Sequence, residues 1–302
     1  MRGWWNDLTD LVLPAECAGC GAPRTALCAR CRSALNRAAP LRVRPVPEPA
    51  GLPVVHAAAP YAERVRALIL AHKERGALAL AGVLGTALAE AVRAGLGRHT
   101  AGAGTEPAGP DRACGHGAVL LVPVPSARWA VRARGHDPVR RMALAAAGEL
   151  RRTGTPARVA AVLRQRRAVA DQARLDARQR LENLAGALEV TAGGGRLLDG
   201  GRIVLVDDLI TTGATLAEAA RALREVAGSH REARHEDGNR VRQVVYRAVS
   251  REGRGERRTG VREERGKWMH GAPEKAAVNT LGPMLHAAVV AAPRDSFEMD
   301  RN

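Results

Sequence analysis

Aromatic side chains are nearly missing from this chain: phenylalanine, tyrosine and tryptophan together make up 2% of its 302 residues. A core must therefore be assembled from alanine, valine and leucine, and an apolar content of 46% suffices for one sizeable α/β core with a small appendage. The same scarcity weighs against a high-affinity surface for single-stranded nucleic acid, which would stack bases on aromatic rings. Long apolar runs are missing too. No segment reaches the roughly 20 residues that cross a bilayer. The nearest, ALALAGVLGTALAEAVRAG at 77–95, carries Glu90 and Arg93 and reads as a buried or amphipathic helix. The opening MRGWWNDLTDLVLPAE holds acids inside its apolar stretch, so it does not read as a signal peptide, and a cytoplasmic location is expected. Its Trp4, Leu8, Leu11 and Val12 recur at helical spacing, as a packing face does. Acidic residues are outnumbered: 47 Lys and Arg against 31 Asp and Glu leave a net charge of +16 and a pI near 11.1. That excess favours phosphates, nucleic acid or anionic lipid without choosing among them. Almost all the basic residues are arginine and the chain is rich in alanine and glycine, a pattern that high-GC coding bias produces, so part of the charge need have no binding role.

Cysteine is sparse but concentrated. Four of five lie in CAGCGAPRTALCARC, as Cys17, Cys20, Cys28 and Cys31. Two CxxC pairs, each able to turn both thiolates toward one cation, suit a tetrahedral structural zinc site of the zinc-ribbon kind. The spacing between the pairs is shorter than in most ribbons. Disulfides are the main alternative, and a reducing compartment disfavours them. Four thiolates leave no open position for chemistry, and a segment of this size has no core of its own, so metal would supply its folding energy. Cys114, alone in the Gly-rich stretch 97–117, carries no assignment.

The most specific stretch is RIVLVDDLITTGATL at 202–216. Ile203 to Val206 is the short unbroken apolar run of a strand buried on both faces of a parallel sheet. Asp207 and Asp208 then fall at its carboxyl end, where open α/β sheets bind ligands. Thr211, Thr212, Gly213, Ala214 and Thr215 form a loop whose N–H groups and hydroxyls can surround a phosphate, and LAEAARALREVA at 216–227 supplies the following helix. The bland reading is a buried strand that ends in acids before a tight glycine turn, and either half alone would earn it. No Gly-Lys-Ser/Thr triplet and no dinucleotide fingerprint occur there. The stretch resembles the 5-phosphoribosyl-1-diphosphate (PRPP) signature of type I phosphoribosyltransferases. That resemblance implies Asp207 and Asp208 on the ribose 2- and 3-hydroxyls and residues 211–215 on the 5-phosphate.

Along the chain, residues 1–35 form the cysteine module, and prolines at 40, 45, 47, 49 and 53 mark 36–53 as a stiff linker. A phosphoribosyltransferase-like domain is expected over 54–228. It opens with a strand at 54–61 and a helix at 64–76, near whose end Lys73 serves as a cap or as a diphosphate ligand. A second helix covers 77–95. AVLLVPVP at 118–125 reads as the next strand, and Arg128, Arg132 and Arg134 follow in a loop closed by Gly135, a cluster suited to diphosphate or simply a solvated basic loop. A helix at 138–152, a strand at 159–165 and the charged stretch 166–183 come next. That stretch reads equally as a mobile flap or as an exposed helix.

In order, CAGC with CARC, the Tyr61 and Lys73 segment, VPVP followed by RARG, the pattern Gln172, Leu175, Arg180, Asn183, and VLVDDLITTGATL resemble the ComF (competence protein F) family, over roughly residues 8–228. One departure is His136, Asp137 and Pro138, where that family commonly has Phe-Asn-Gln. The resemblance implies a type I phosphoribosyltransferase fold, a central parallel sheet flanked by helices behind a zinc module. It also implies PRPP bound with Mg²⁺, with Lys73, Arg132 and Arg134 toward the diphosphate and Gln172, Arg180 and Asn183 in a flexible loop. The activity is then transfer of phosphoribosyl to an unidentified nucleophile, and the alternatives are a non-catalytic PRPP or nucleotide sensor and an accessory protein for single-stranded DNA working with the competence machinery. Residues 229–283, dense in both charges and poor in core formers, are expected to be a disordered insertion or the product of a faulty gene model. AAVVAAPRDSFEMD within 284–302 then supplies the domain's final strand.

Overall fold

The computed structural model describes residues 16–36, 39–97, 118–167, 177–198, 201–228 and 285–297. The helical stripe near the start, Cys114, Gln172, Leu175 and the 229–283 insertion lie outside them. The described residues build a mixed α/β fold around a six-stranded sheet of order β1-β2-β8-β7-β3-β4. Its strands are β1 (Leu41–Val43), β2 (Val54–Pro60), β3 (Val119–Pro123), β4 (Ala157–Val159), β7 (Arg202–Leu209) and β8 (His286–Ala292). All neighbours run parallel except β1 against β2. A separate antiparallel pair joins β5 (Leu163–Gln165) to β6 (Leu188–Val190).

The apolar runs explain the order of burial. β3 and β8 are buried at every residue, and so is the Ile203–Val206 run of β7, as strands covered on both faces must be. Alternate residues feed two separate cores. Leu121, Val204, Val206, Ala288 and Val290 face α2 (Glu63–Glu74), α3 (Leu80–Gly97) and α5 (Pro138–Arg152). Leu120, Ile203, Leu205, Ala287 and Val289 face the helix over 214–228, here α8, and the β5–β6 pair. Between those stretches lie α1 (Ala29–Leu35), α4 (Arg128–Arg134), α6 (Ala177–Leu184) and the short α7 (Gly194–Leu197).

α3 is the one described helix long and apolar enough to span a bilayer, but 61% of that window is buried, against the sheet and α5. A Cβ on its Gly85 would lie 2.9 Å from the Ala146 nitrogen and 3.0 Å from the Met142 oxygen, so these two helices touch backbone to backbone. α5 starts where its sequence says it should. Asp137 caps it by accepting the Arg140 N–H at 3.1 Å, and Pro138 occupies the first turn.

Three expectations are revised. The 36–53 stretch is not only a linker: Leu41–Val43 adds an antiparallel edge strand to β2 with Val43 buried. Three residues among prolines give little strand signal, and an edge is where prolines are tolerated beside a strand. The single strand expected at 159–165 is two strands in two sheets, because the Ala160 N–H goes to Leu121 while Val162 accepts from Thr191. Arg128 to Arg134 form a helix rather than a loop, ended by Gly135 at φ 76°. Of the 166–183 stretch, the part from 177 onward lies in the helix Ala177–Leu184, in keeping with one of the two readings given for it.

Candidate functional site

Strand alternation decides how the acidic pair is presented. Val204 and Val206 face the α2 side, so Asp208 does too, and there Lys73 Nζ donates to Asp208 Oδ2 at 2.7 Å. Asp207 falls on the other face, and its Oδ1 accepts the Asp208 N–H at 2.8 Å. Two sequential carboxylates thus flank the end of one central strand. Burial, reinforced by the Asp208 carboxylate, pushes the Asp207 carboxyl well above its usual range. For Lys73 burial pulls downward, but Asp208 and Asp207 outweigh it and hold the ammonium above its ordinary value.

β7 leads directly into the 211–215 loop. Thr211 is exposed, Thr212 and Thr215 are half-buried, and Gly213 and Ala214 are buried. Gly213 has φ 76°, and a Cβ there would sit 3.2 Å from Leu52 and from Pro45, so the stretch read as a linker forms the wall behind the loop. α8 begins at residue 214, inside this loop, so the first N–H groups of a 15-residue helix belong to it.

The basic residues diverge. Arg134 donates from Nε and Nη2 to the two Glu74 oxygens at 3.1 and 3.2 Å, whereas Arg132 is exposed. Arg180 and Asn183 lie on α6, where the Asn183 carbonyl accepts from Arg167 at 2.8 Å. The residues that depart from the ComF pattern have structural roles: His136 lies 3.1 Å from the Arg134 carbonyl and 3.3 Å from that of His72, while Asp137 and Pro138 start α5.

The four cysteines gather into one cluster, all Sγ atoms within 4.8 Å of one another and none in a disulfide. A tetrahedral zinc with Zn–S bonds of about 2.3 Å separates its sulfurs by about 3.8 Å, which this cluster can meet with small shifts. Burial pushes the Cys31 thiol up. Burial also acts against Cys17, but N–H groups of Cys28, Gly19 and Cys20 outweigh it and bring that thiol down to about 6. A donor set of four thiols fits a soft divalent ion. The knuckle is not a detached module, since Cys17, Cys31 and Leu35 share one apolar cluster with Val65, Leu68 and Ile69 of α2.

His72, Glu74 and Arg75 were not singled out by the sequence. Nothing in the spacing of HKERG reveals partners 60 or more residues away, although Asp-Pro before an apolar periodic run does announce the α5 start. Fold and side-chain groupings together define a mixed α/β protein carrying a four-cysteine centre at its amino-terminal end. No protein-family model matches the chain, and no curated protein matches it.

Proposed function

We propose that the protein binds PRPP with Mg²⁺ at the carboxyl end of β7, as a phosphoribosyltransferase-like protein of the ComF kind with a structural zinc. The observation that carries this reading is the acidic pair at the end of a central parallel strand, opening straight onto a Gly213 turn and the start of a long helix. On this reading Asp207 and Asp208 accept hydrogen bonds from the ribose 2- and 3-hydroxyls. The loop N–H groups and threonine hydroxyls hold the 5-phosphate. Lys73 spends one of three donors on Asp208, leaving two for a diphosphate oxygen. Arg132 adds charge from α4, and Arg134 joins it only by leaving Glu74.

In the transfer reaction the C1–oxygen bond breaks with its electron pair leaving on diphosphate, and a nucleophile forms the new bond to C1. Mg²⁺, when bound, neutralises the departing diphosphate. The two aspartates orient the ribose and favour positive charge developing at C1. Thiols and zinc chemistry both suit a reducing, cytoplasmic setting.

Calorimetric titration of the zinc-loaded chain with PRPP and Mg²⁺ tests the reading, with Asp207→Ala/Asp208→Ala alongside. The expected result is saturable binding that the double substitution weakens by roughly 100-fold, the scale of two charge-assisted hydrogen bonds. Absence of binding to folded wild type overturns it. Binding without diphosphate release, across a panel of amines and bases, makes the protein a sensor rather than a transferase.

A further inference from the structure

The last three residues of α2 and Arg75, which caps it, each reach a different part of the molecule. His72 is buried with Nε2 3.3 Å from the Pro138 carbonyl at the start of α5 and Nδ1 3.3 Å from that of Ala77. Lys73 bonds Asp208 on β7, and Glu74 receives both bonds from Arg134 on α4. Arg75 Nη2 donates to the carbonyls of Ala18, inside the cysteine knuckle, and Ala67, each at 3.2 Å. Successive helical residues point about 100° apart, so four of them at a helix end cover its whole circumference. One helix end is therefore tied at once to the acidic pair, the arginine helix and the metal-binding knuckle.

The knuckle also rests directly on α2. A Cβ on Gly19 would lie 2.8 Å from Cys31 Sγ and 3.2 Å from Leu68 Cδ2, so backbone, metal ligand and helix are in contact there. A short segment held by four thiolates adopts this shape when a metal gathers them. Where the metal fixes that shape, its removal would free the Ala18 carbonyl and the Gly19 backbone from the positions that meet Arg75 and Leu68.

We propose that the metal-loaded four-cysteine centre positions Lys73 against Asp208, with Arg75 and the α2 end as the connection, so that loss of the metal loosens the Lys73–Asp208 pair. Lys73 is the group the connection acts on, and Arg75 is a positioning residue. Coupling between two sites is reciprocal, so whatever binds at the acidic pair and needs Lys73 in place also tightens the metal. That last clause rests on the PRPP reading; the coupling to Lys73 does not.

Lysine acylation followed by mass spectrometry on the full chain tests it. Lys73 is the one lysine among the described residues, and Lys267 and Lys275 serve as internal rate references. Stripping zinc with a chelator is expected to raise the Lys73 rate several-fold relative to those references while far-UV circular dichroism is kept. Arg75→Ala, which leaves all four cysteines, is expected to retain one zinc per chain and raise the Lys73 rate by about fivefold, the scale of one lost hydrogen bond. If stripping unfolds the wild type, the Arg75→Ala protein alone decides. An unchanged Lys73 rate in zinc-loaded, folded Arg75→Ala overturns the coupling. Loosened Lys73 together with no PRPP binding to wild type upholds the coupling and removes the ligand reading; PRPP binding with an unmoved Lys73 does the reverse.

Discussion

Asp207 illustrates how a single residue can be kept against its own preference. Burial and the neighbouring carboxylate both raise its pKa, and Lys73 offsets only part of that. A raised pKa means its contribution to stability is greatest below the unfolded value of 3.8 and is lost as pH rises through the folded value. At neutral pH, holding this carboxyl in the folded state is thus a cost. Asp207→Asn keeps an Oδ1 acceptor for the Asp208 N–H and removes the charge, so urea unfolding at pH 7 is expected to show a gain of about 1 kcal/mol. The same substitution is expected to weaken PRPP binding in the calorimeter, the pattern of a group retained for binding. A loss of stability would show instead that its charge is needed by Lys73.

At the level of elements, α8 does for β6 what a missing strand would do. Glu218 accepts the Leu188 N–H at 3.0 Å, while Arg221 donates to the Leu188 carbonyl at 3.0 Å and to both Glu218 oxygens. Burial alone would raise the Glu218 pKa, but Arg221 and the Leu188 N–H hold it below the ordinary 4.5. A lowered pKa contributes stability that is present above 4.5 and lost as pH falls through the folded value. Glu218→Ala strands a buried N–H at a penalty of about 1–3 kcal/mol. Amide hydrogen exchange is expected to quicken at Leu188 in that variant at neutral pH, and in wild type only on acidification below pH 4.5. Equal exchange in both proteins at pH 7 would mean that β5 holds the hairpin without help.

Across the whole molecule, the last described strand is central rather than terminal. β8 pairs with β2 on one side and β7 on the other, so two parallel ladders depend on residues that follow the 229–283 stretch. Truncation after Gly228 leaves β2 and β7 unpaired along facing edges and opens both cores at Val289 and Val290. Such a chain is expected to lose cooperative thermal unfolding and to aggregate. A soluble, cooperatively melting truncation would show that β2 and β7 can close on each other.

Local chemistry made much of this readable in advance. The apolar run of β7 with its acids and glycine turn, the Asp-Pro start of α5 and the two CxxC pairs follow from side-chain type and near-neighbour spacing, which the sequence states outright. Contacts between distant segments do not. That Lys73 meets Asp208, that Arg134 is held by Glu74 and that Arg75 reaches the cysteine knuckle depend on how α2 lies across the sheet, set by the shared packing of two cores. Strand order is likewise a tertiary decision. A short edge strand among prolines and a last strand inserted at the centre win their places by ladder hydrogen bonds and buried area, quantities that exist only once the chain has closed on itself.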